Sequence, residues 1–294
     1  MAIFHPGLMN PEAPVRLADG SWLLVEMHES RGWVCRISAD GREKSVLART
    51  GRPNGLAVDR DGAIWVAESM NPPSLLRMTL DGRYEQYLAE CDGEQFLFPN
   101  DLAFGPDGAL YMTDSGIYRP DIMKVPPERR RNMPTDGRVF RIDTRRRSVR
   151  LLSRGLYFAN GLAFGADHHL FVGSTNDGKV WRFPWREDGS LGAKEQFAEV
   201  LDPAKEPAFR GPDGMKFGGD GNLYCTVVWQ GDVAVIAPSG QVLKRIALHG
   251  NGPTNLAFGA EGERRIYVTE QGTGALEVHD VGCDGLPLHS GQDS

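Results

Sequence analysis

Pro212-Asp213-Gly214-Met215-Lys216-Phe217 decides the fold, because five other stretches of the chain are written in the same way. Asn54-Gly55-Leu56-Ala57-Val58, Asn100-Asp101-Leu102-Ala103-Phe104, Asn160-Gly161-Leu162-Ala163-Phe164 and Thr254-Asn255-Leu256-Ala257-Phe258 repeat it, and Glu12-Ala13-Pro14-Val15-Arg16 is a weaker copy. Each copy begins on a polar side chain and runs into a short apolar strand. The start points 12, 54, 100, 160, 213 and 254 are 42, 46, 60, 53 and 41 residues apart, and passing from 254 through the end of the chain back to 12 adds 52. A four-stranded propeller blade takes about 40–50 residues. The spacing therefore predicts an all-β, six-bladed β-propeller of four-stranded antiparallel blades, with residues 1–294 forming one domain.

The wording inside each unit supports this architecture. Turns follow the first strand at Asp19-Gly20, Asp61-Gly62, Asp107-Gly108, His168-His169, Asp220-Gly221 and Glu261-Gly262. Asp-Gly supplies the positive φ that a tight hairpin requires. Second strands such as Ile64-Trp65-Val66, Leu110-Tyr111-Met112-Thr113 and Ile266-Tyr267-Val268-Thr269 are β-branched or aromatic and too short for helices. An outer hairpin follows, as in Trp33 to Ile37 turning at Asp40-Gly41 into Ser45-Val46-Leu47. The last unit has no clear fourth strand, whereas Ala2-Ile3-Phe4-His5 precedes the first unit without a partner. Residues 2–5 are expected to complete the last blade, which removes an exposed sheet edge.

Composition narrows the function classes. Hydrophobic residues make up 40% and charged residues 24% of the chain, and the net charge is −6. These values suit a soluble globular protein and carry no nucleic-acid footprint. The runs Arg129-Arg130-Arg131 and Arg145-Arg146-Arg147 lack interleaved aromatics and are expected in solvated loops. Cys35, Cys91, Cys225 and Cys283 have no CxxC spacing, so buried free thiols in a reducing compartment are expected. There is no secretory signal pattern and no apolar run of bilayer length. The expected setting is cytoplasmic, as a monomer or weak homo-oligomer, with a small-molecule substrate and neither nucleic acid nor membrane as partner.

In a propeller the inner strands line a central channel, so equivalent positions at their starts converge. Here those positions are Glu12, Asn54, Asn100, Asn160, Asp213 and Thr254. All offer oxygen, and none is His or Cys. Such a set suits one hard divalent cation, calcium first, with manganese, magnesium, zinc or iron(II) as alternatives. Asn or Asp before Gly is also an ordinary turn former, and a single copy needs no other explanation. The set does, because the residue type changes while the position stays polar. Asn54 and Thr254 are the members best explained by structure alone. Glu68, Asp114 and Glu270 follow second strands and either bond neighbouring backbone amides or border the pocket, the structural role being the one expected. His28 and Trp229 are expected at the channel mouth. The long loops 115–136 and 201–211 are candidates for pocket walls.

Glu-x-Pro-Val near the N-terminus, Phe98-Pro99-Asn100-Asp101-Leu102, Asn160-Gly161-Leu162-Ala163-Phe164 and Pro212-Asp213-Gly214-Met215, in that order, resemble the senescence marker protein/gluconolactonase/luciferin-regenerating enzyme family. The resemblance spans essentially the whole chain. It implies a six-bladed propeller with one catalytic cation in the channel, usually hydrolysing lactones and sometimes organophosphates. It also implies that Glu12, Asn160 and Asp213 are the metal ligands, that Asp213 doubles as general base, and that Asn100 lies near metal and substrate. Two departures stand out. Phe98 occupies a place where sugar-lactone members often carry arginine, which points to a less polar substrate. Ala13 replaces the usual glycine of the first motif.

The resulting expectation is metal-assisted opening of a cyclic ester. The cation would polarise the carbonyl, Asp213 would take the proton of the attacking water, Asn100 would donate to the substrate oxygen, and Phe98 and Tyr118 would contact the substrate. A phosphotriester or aryl ester hydrolase is the alternative enzyme, and a non-catalytic ligand-binding propeller is the alternative from another class.

Overall fold

The positive-φ glycines Gly20, Gly62, Gly108 and Gly221 turn the first, second, third and fifth inner strands back on themselves, as their Asp-Gly sequences require. The computed structural model describes residues 2–70, 72–205 and 209–291. It contains six four-stranded sheets in which consecutive strands pair antiparallel. The inner strands are Pro11–Arg16, Pro53–Val58, Pro99–Phe104, Ala159–Phe164, Gly211–Phe217 and Pro253–Phe258. Among the described residues, helix is confined to Arg119–Met123 and a 3₁₀ turn, both within the long third-blade loop. No described helix is long and apolar enough to cross a membrane. Cys35, Cys91 and Cys225 are buried free thiols.

The last blade closes as the sequence predicts. Ala2–His5 pairs antiparallel with Ala275–Asp280, with Ala2 opposite Val278 and Ile3 opposite Glu277. The Phe4 ring meets Tyr267 of the sixth blade at 5.0 Å and Trp22 of the first at 6.3 Å, so the strand also rivets two blades together. Deleting residues 2–5 removes these contacts and bares the edge of Ala275–Asp280. We expect a loss of at least ~3 kcal/mol in urea unfolding, from lost aromatic packing and ladder hydrogen bonds, together with increased light scattering. An unchanged unfolding midpoint would refute the closure.

The core lies between the faces of neighbouring blades. Trp65, Leu75, Phe104, Met112 and Phe140 form one such cluster between the second and third blades. The blades approach so closely at the axis that side chains are excluded. A Cβ on Gly161 would lie 2.2 Å from Asp213 O, and one on Gly214 would lie 2.0 Å from Asn255 Cγ. These glycines therefore serve contact between blades, rather than the turns that Asn-Gly and Asp-Gly ordinarily signal.

The two ends of the channel differ. At the ends of the inner strands, the segment after Asp280 runs across the molecule. Gly285 bridges to Gly218, His289 bridges to Phe104, and Ser290 O accepts from Arg60 N at 2.8 Å. The C-terminal segment thus covers the far end of the channel, and access is left at the end where the polar positions lie.

Candidate active site

Every inner strand breaks its pairing register at its polar position. The irregularities fall between Glu12 and Val15, Pro53 and Leu56, Pro99 and Leu102, Ala159 and Leu162, Pro212 and Met215, and Pro253 and Asn255. A bulge re-aims a side chain that a regular strand would point at a neighbouring blade. Here it turns all six polar residues to the axis. In the first blade the distortion includes Ala13 at φ 51°, a left-handed backbone where the family motif has glycine.

Acidic side chains hold the approach to each bulge. Glu68 Oε1 accepts from Arg52 N at 2.6 Å, Asp114 Oδ1 from Phe98 N at 3.1 Å, and Glu270 Oε1 from Gly252 N at 2.6 Å. Glu26 does the same for Met9 N at 2.7 Å. The structural role expected for Glu68, Asp114 and Glu270 is what the structure shows. Asp114 also pairs with Arg138 at 2.9 Å, both fully buried.

The amides of Asn100 and Asn160 are oriented by hydroxyls. Ser115 Oγ donates to Ala159 O at 2.9 Å, and Thr175 Oγ1 donates to Pro212 O at 2.8 Å. Each hydroxyl has one proton, so each must accept from the amide beside it. Asn100 Nδ2 donates to Ser115 Oγ at 2.9 Å, and Asn160 Nδ2 donates to Thr175 Oγ1 at 3.0 Å. The amide nitrogens are thereby held at the wall and the Oδ1 atoms are turned to the cavity. Asn100 presents an acceptor there as well as its second N–H. Thr254 Oγ1, by contrast, is occupied by Pro11 O at 2.7 Å and Thr269 Oγ1 at 2.8 Å.

Glu12 is buried. Its Oε1 accepts from Asn255 Nδ2 at 2.8 Å, while its Oε2 has no partner among the described residues. Burial, and then the Asp101 charge, push Glu12 up to about 7. Burial, then Glu12 and Asp101, push Asp213 well above the usual carboxylate range. Carboxylates crowded in this way, with one oxygen orphaned and two amide oxygens facing them, form a donor set short of positive charge. Glu12, Asn160 and Asp213, with Asn100 adjacent, fit a hard divalent cation.

These residues line a cavity of about 210 Å³. Asn54 and Phe98 line it too, as does Trp229 at the mouth, while His28 is outside the lining and bonds Ser30 Oγ instead. Loop 115–136 contributes Ile117, Arg119, Ile122, Met123, Arg130 and Met133, so it is a wall rather than a decoration. Phe209 comes from the second long loop, whose residues 206–208 lie outside the described set. Tyr118 corrects an expectation. It is the N-cap of helix Arg119–Met123, is 44% exposed and lies outside the lining, although both of its neighbours face in.

Sequence reasoning missed Arg52, Arg119, Asp101 and Asn255. Asp101 and Asn255 were marked by breaking the polar-Gly pattern at the bulge. Arg52 was marked by register, since it stands two residues before Asn54 as Phe98 stands before Asn100. Its guanidinium lies over the Phe98 ring, 5.2 Å from the centroid.

Fold and site together define a six-bladed propeller with one covered end and, at the other, a cavity of apolar and basic walls on which side-chain oxygens converge. The chain belongs to the SMP-30/gluconolactonase/LRE-like family, whose model matches residues 11–272. It is 29% identical over 278 residues to a gluconolactonase of Zymomonas mobilis, covering 86% of this chain and 74% of that one. It is 26% identical over 289 residues to the diisopropyl-fluorophosphatase of Loligo vulgaris, covering 90% and 87%. The structure of a calcium-binding protein, regucalcin, from Agrobacterium tumefaciens superposes with a TM-score of 0.76 at 18% identity, covering 98% and 96%, a likeness of fold.

Proposed function

We propose that this protein is a divalent-metal-dependent lactonase, with Glu12, Asn160 and Asp213 holding the cation and calcium as the first choice. The observation that carries this reading is the orphaned Glu12 Oε2 among inward-facing amide oxygens and Asp213, in a chain of a lactonase-containing family. Oxygen-only donors favour calcium, manganese or magnesium over zinc and iron(II). A cation bound there supplies a Lewis acid for the ester carbonyl and lowers the pKa of water.

The chain's own residues do the rest. Asp213, half-buried at the cavity floor, takes a proton from the attacking water as its oxygen bonds to the acyl carbon. The ring C–O bond then breaks, and the ring oxygen receives that proton as the alcohol of the product hydroxy acid. Asn100 positions the substrate oxygen through its second N–H. Phe98 and Phe158, with ring centroids 5.7 Å apart, exclude water from one wall. The Phe98 substitution alone does not make the site apolar, because Arg52 lies over that ring.

A panel of lactones, aryl esters and phosphotriesters, assayed with and without EDTA, tests this reading. We expect lactone ring opening that falls on the order of 100-fold or more on chelation and returns with calcium or manganese. Dominant phosphotriester turnover would favour the second enzyme reading, which similarity to the squid enzyme supports. No chelator-sensitive hydrolysis across the panel would leave a binding propeller.

Thermal unfolding gives a readout independent of turnover. In the metal-free protein Glu12 titrates at about 7 rather than its ordinary 4.5. Within that window the folded chain keeps a proton that the unfolded chain has lost, so stability falls as pH rises. We expect the melting temperature of the chelated protein to drop between about pH 5 and 8, and calcium to restore it most at the alkaline end. A calcium effect that is equal at both ends would count against Glu12 as a ligand.

A further inference from the structure

We propose that the substrate carries an anionic group, carboxylate, sulfonate or phosphate, bound by Arg52 and Arg119 in the cavity. Three guanidiniums line this small cavity: Arg52 from the approach to the second inner strand, and Arg119 and Arg130 from loop 115–136. Among the described residues, none of the three has a carboxylate within ion-pair distance. Glu68, the acid beside Arg52, is occupied by Arg52 N at 2.6 Å, Met70 N at 3.0 Å and Thr50 Oγ1 at 2.7 Å. The floor acids Glu12 and Asp213 act on Arg52 only as more distant charges, and they are the residues assigned to the cation.

Arg52 is built in rather than loosely solvated. Its Nη1 donates to Ser69 Oγ at 2.9 Å and its Cζ lies over the Phe98 ring, while its Nε is buried without a partner among the described residues. Among the described residues, the hydrogen-bond partner of Arg119 is Met70 Sδ, at 3.7 Å, and Glu29 acts on it only as a charge without an ion-pair contact. Burial, and then the Arg119 charge, lower Arg52 to about 9; burial also lowers Arg119, with Glu29 opposing and Arg130 acting in the same sense as burial. Like charges gathered in a partly desolvated pocket oppose folding unless something negative enters. Guanidinium forks suit oxyanions, which they bind through paired N–H groups. The register explains why this charge was hidden: the second blade supplies, over the Phe98 ring, the arginine that the third blade lacks.

The lactone probes rest on the lactonase reading, whereas the binding arm does not. D-glucaro-1,4-lactone and D-glucono-1,4-lactone share a ring and differ by a carboxylate in place of a hydroxymethyl group. With the cation-loaded enzyme we expect kcat/KM at least ~10-fold higher for the glucarolactone, carried mainly by KM, and a ratio collapsing toward one in Arg52→Gln and Arg119→Gln. By calorimetry, D-glucarate is expected to bind at least ~10-fold more tightly than D-gluconate to the wild type, and equally to the double variant. Both acids offer one carboxylate to the cation, so the difference reports the second. Failure of both lactones to open, with the glucarate preference intact, would overturn only the lactonase reading. Equal binding of the two acids by the wild type, or a preference that survives in the double variant, would overturn the anion site.

Discussion

Asp213→Asn is expected to lower kcat by about 10³-fold or more while leaving the fold unchanged, because it removes the proton acceptor and little else. Asn has the same shape and keeps an oxygen for the cation. It also removes one of the carboxylates that oppose each other across the floor, where Glu12 and Asp101 both raise Asp213. The metal-free variant should therefore melt at the same temperature as the wild type or higher. That combination, turnover lost and apo stability kept or raised, separates a proton-handling role from a structural one. Full activity in Asp213→Asn would sink the assignment of Asp213 as base. Lost activity that returns at high calcium would reduce Asp213 to a ligand.

Asp114→Ala carries the largest expected effect on stability. The Asp114 carboxylate accepts from Leu97 N at 2.8 Å, Phe98 N at 3.1 Å, Gly116 N at 2.8 Å and Arg138 Nη2 at 2.9 Å. Its removal leaves three backbone donors unpaired and the buried Arg138 guanidinium with only the half-exposed Glu94, at 3.3 Å, and Gln95 O, at 3.2 Å, among the described residues. Breaking a buried pair from one side costs about 3–5 kcal/mol, a large part of the stability of an ordinary domain. The damage reaches the site, because Phe98 and Asn100 lie on the segment that Asp114 holds. Replacing both partners, as Asp114→Ala with Arg138→Met, should restore much of the loss by taking away a buried charge that Glu94 alone compensates. Urea unfolding of the two single variants and the double variant forms the cycle. A double variant as unstable as the sum of the singles would show that the backbone hydrogen bonds, not the charge pair, hold this segment.

Much of the fold was legible because its causes are local and repeated. Turn residues, alternating strands and the spacing of six polar starts occur in every blade. The unpaired Ala2–His5 segment at one end matched the missing strand at the other. The ring of oxygen donors was legible for the same reason, since equivalent positions in a closed ring must converge. The far end of the channel was not, because the described segment after Asp280 is held by isolated bridges and single backbone hydrogen bonds and has no strand pattern of its own. Tyr118 was misplaced because loop 115–136 follows no repeat, and a five-residue helix within it sets which side chains face inward.

By itself the sequence determined that six blades form, where they close and which residue types stand at the axis, since period, turn chemistry and polarity are properties of neighbours along the chain. The tertiary structure alone decided what those residues can do. It aimed the polar side chains through the bulges and oriented the Asn100 and Asn160 amides through hydroxyls committed to the next blade. It placed Asn255 on Glu12, 243 residues away, and brought Arg52 over Phe98. Charge, hydrogen-bond direction and solvent exclusion depend on separation in space, and in a ring that separation bears no relation to distance along the sequence.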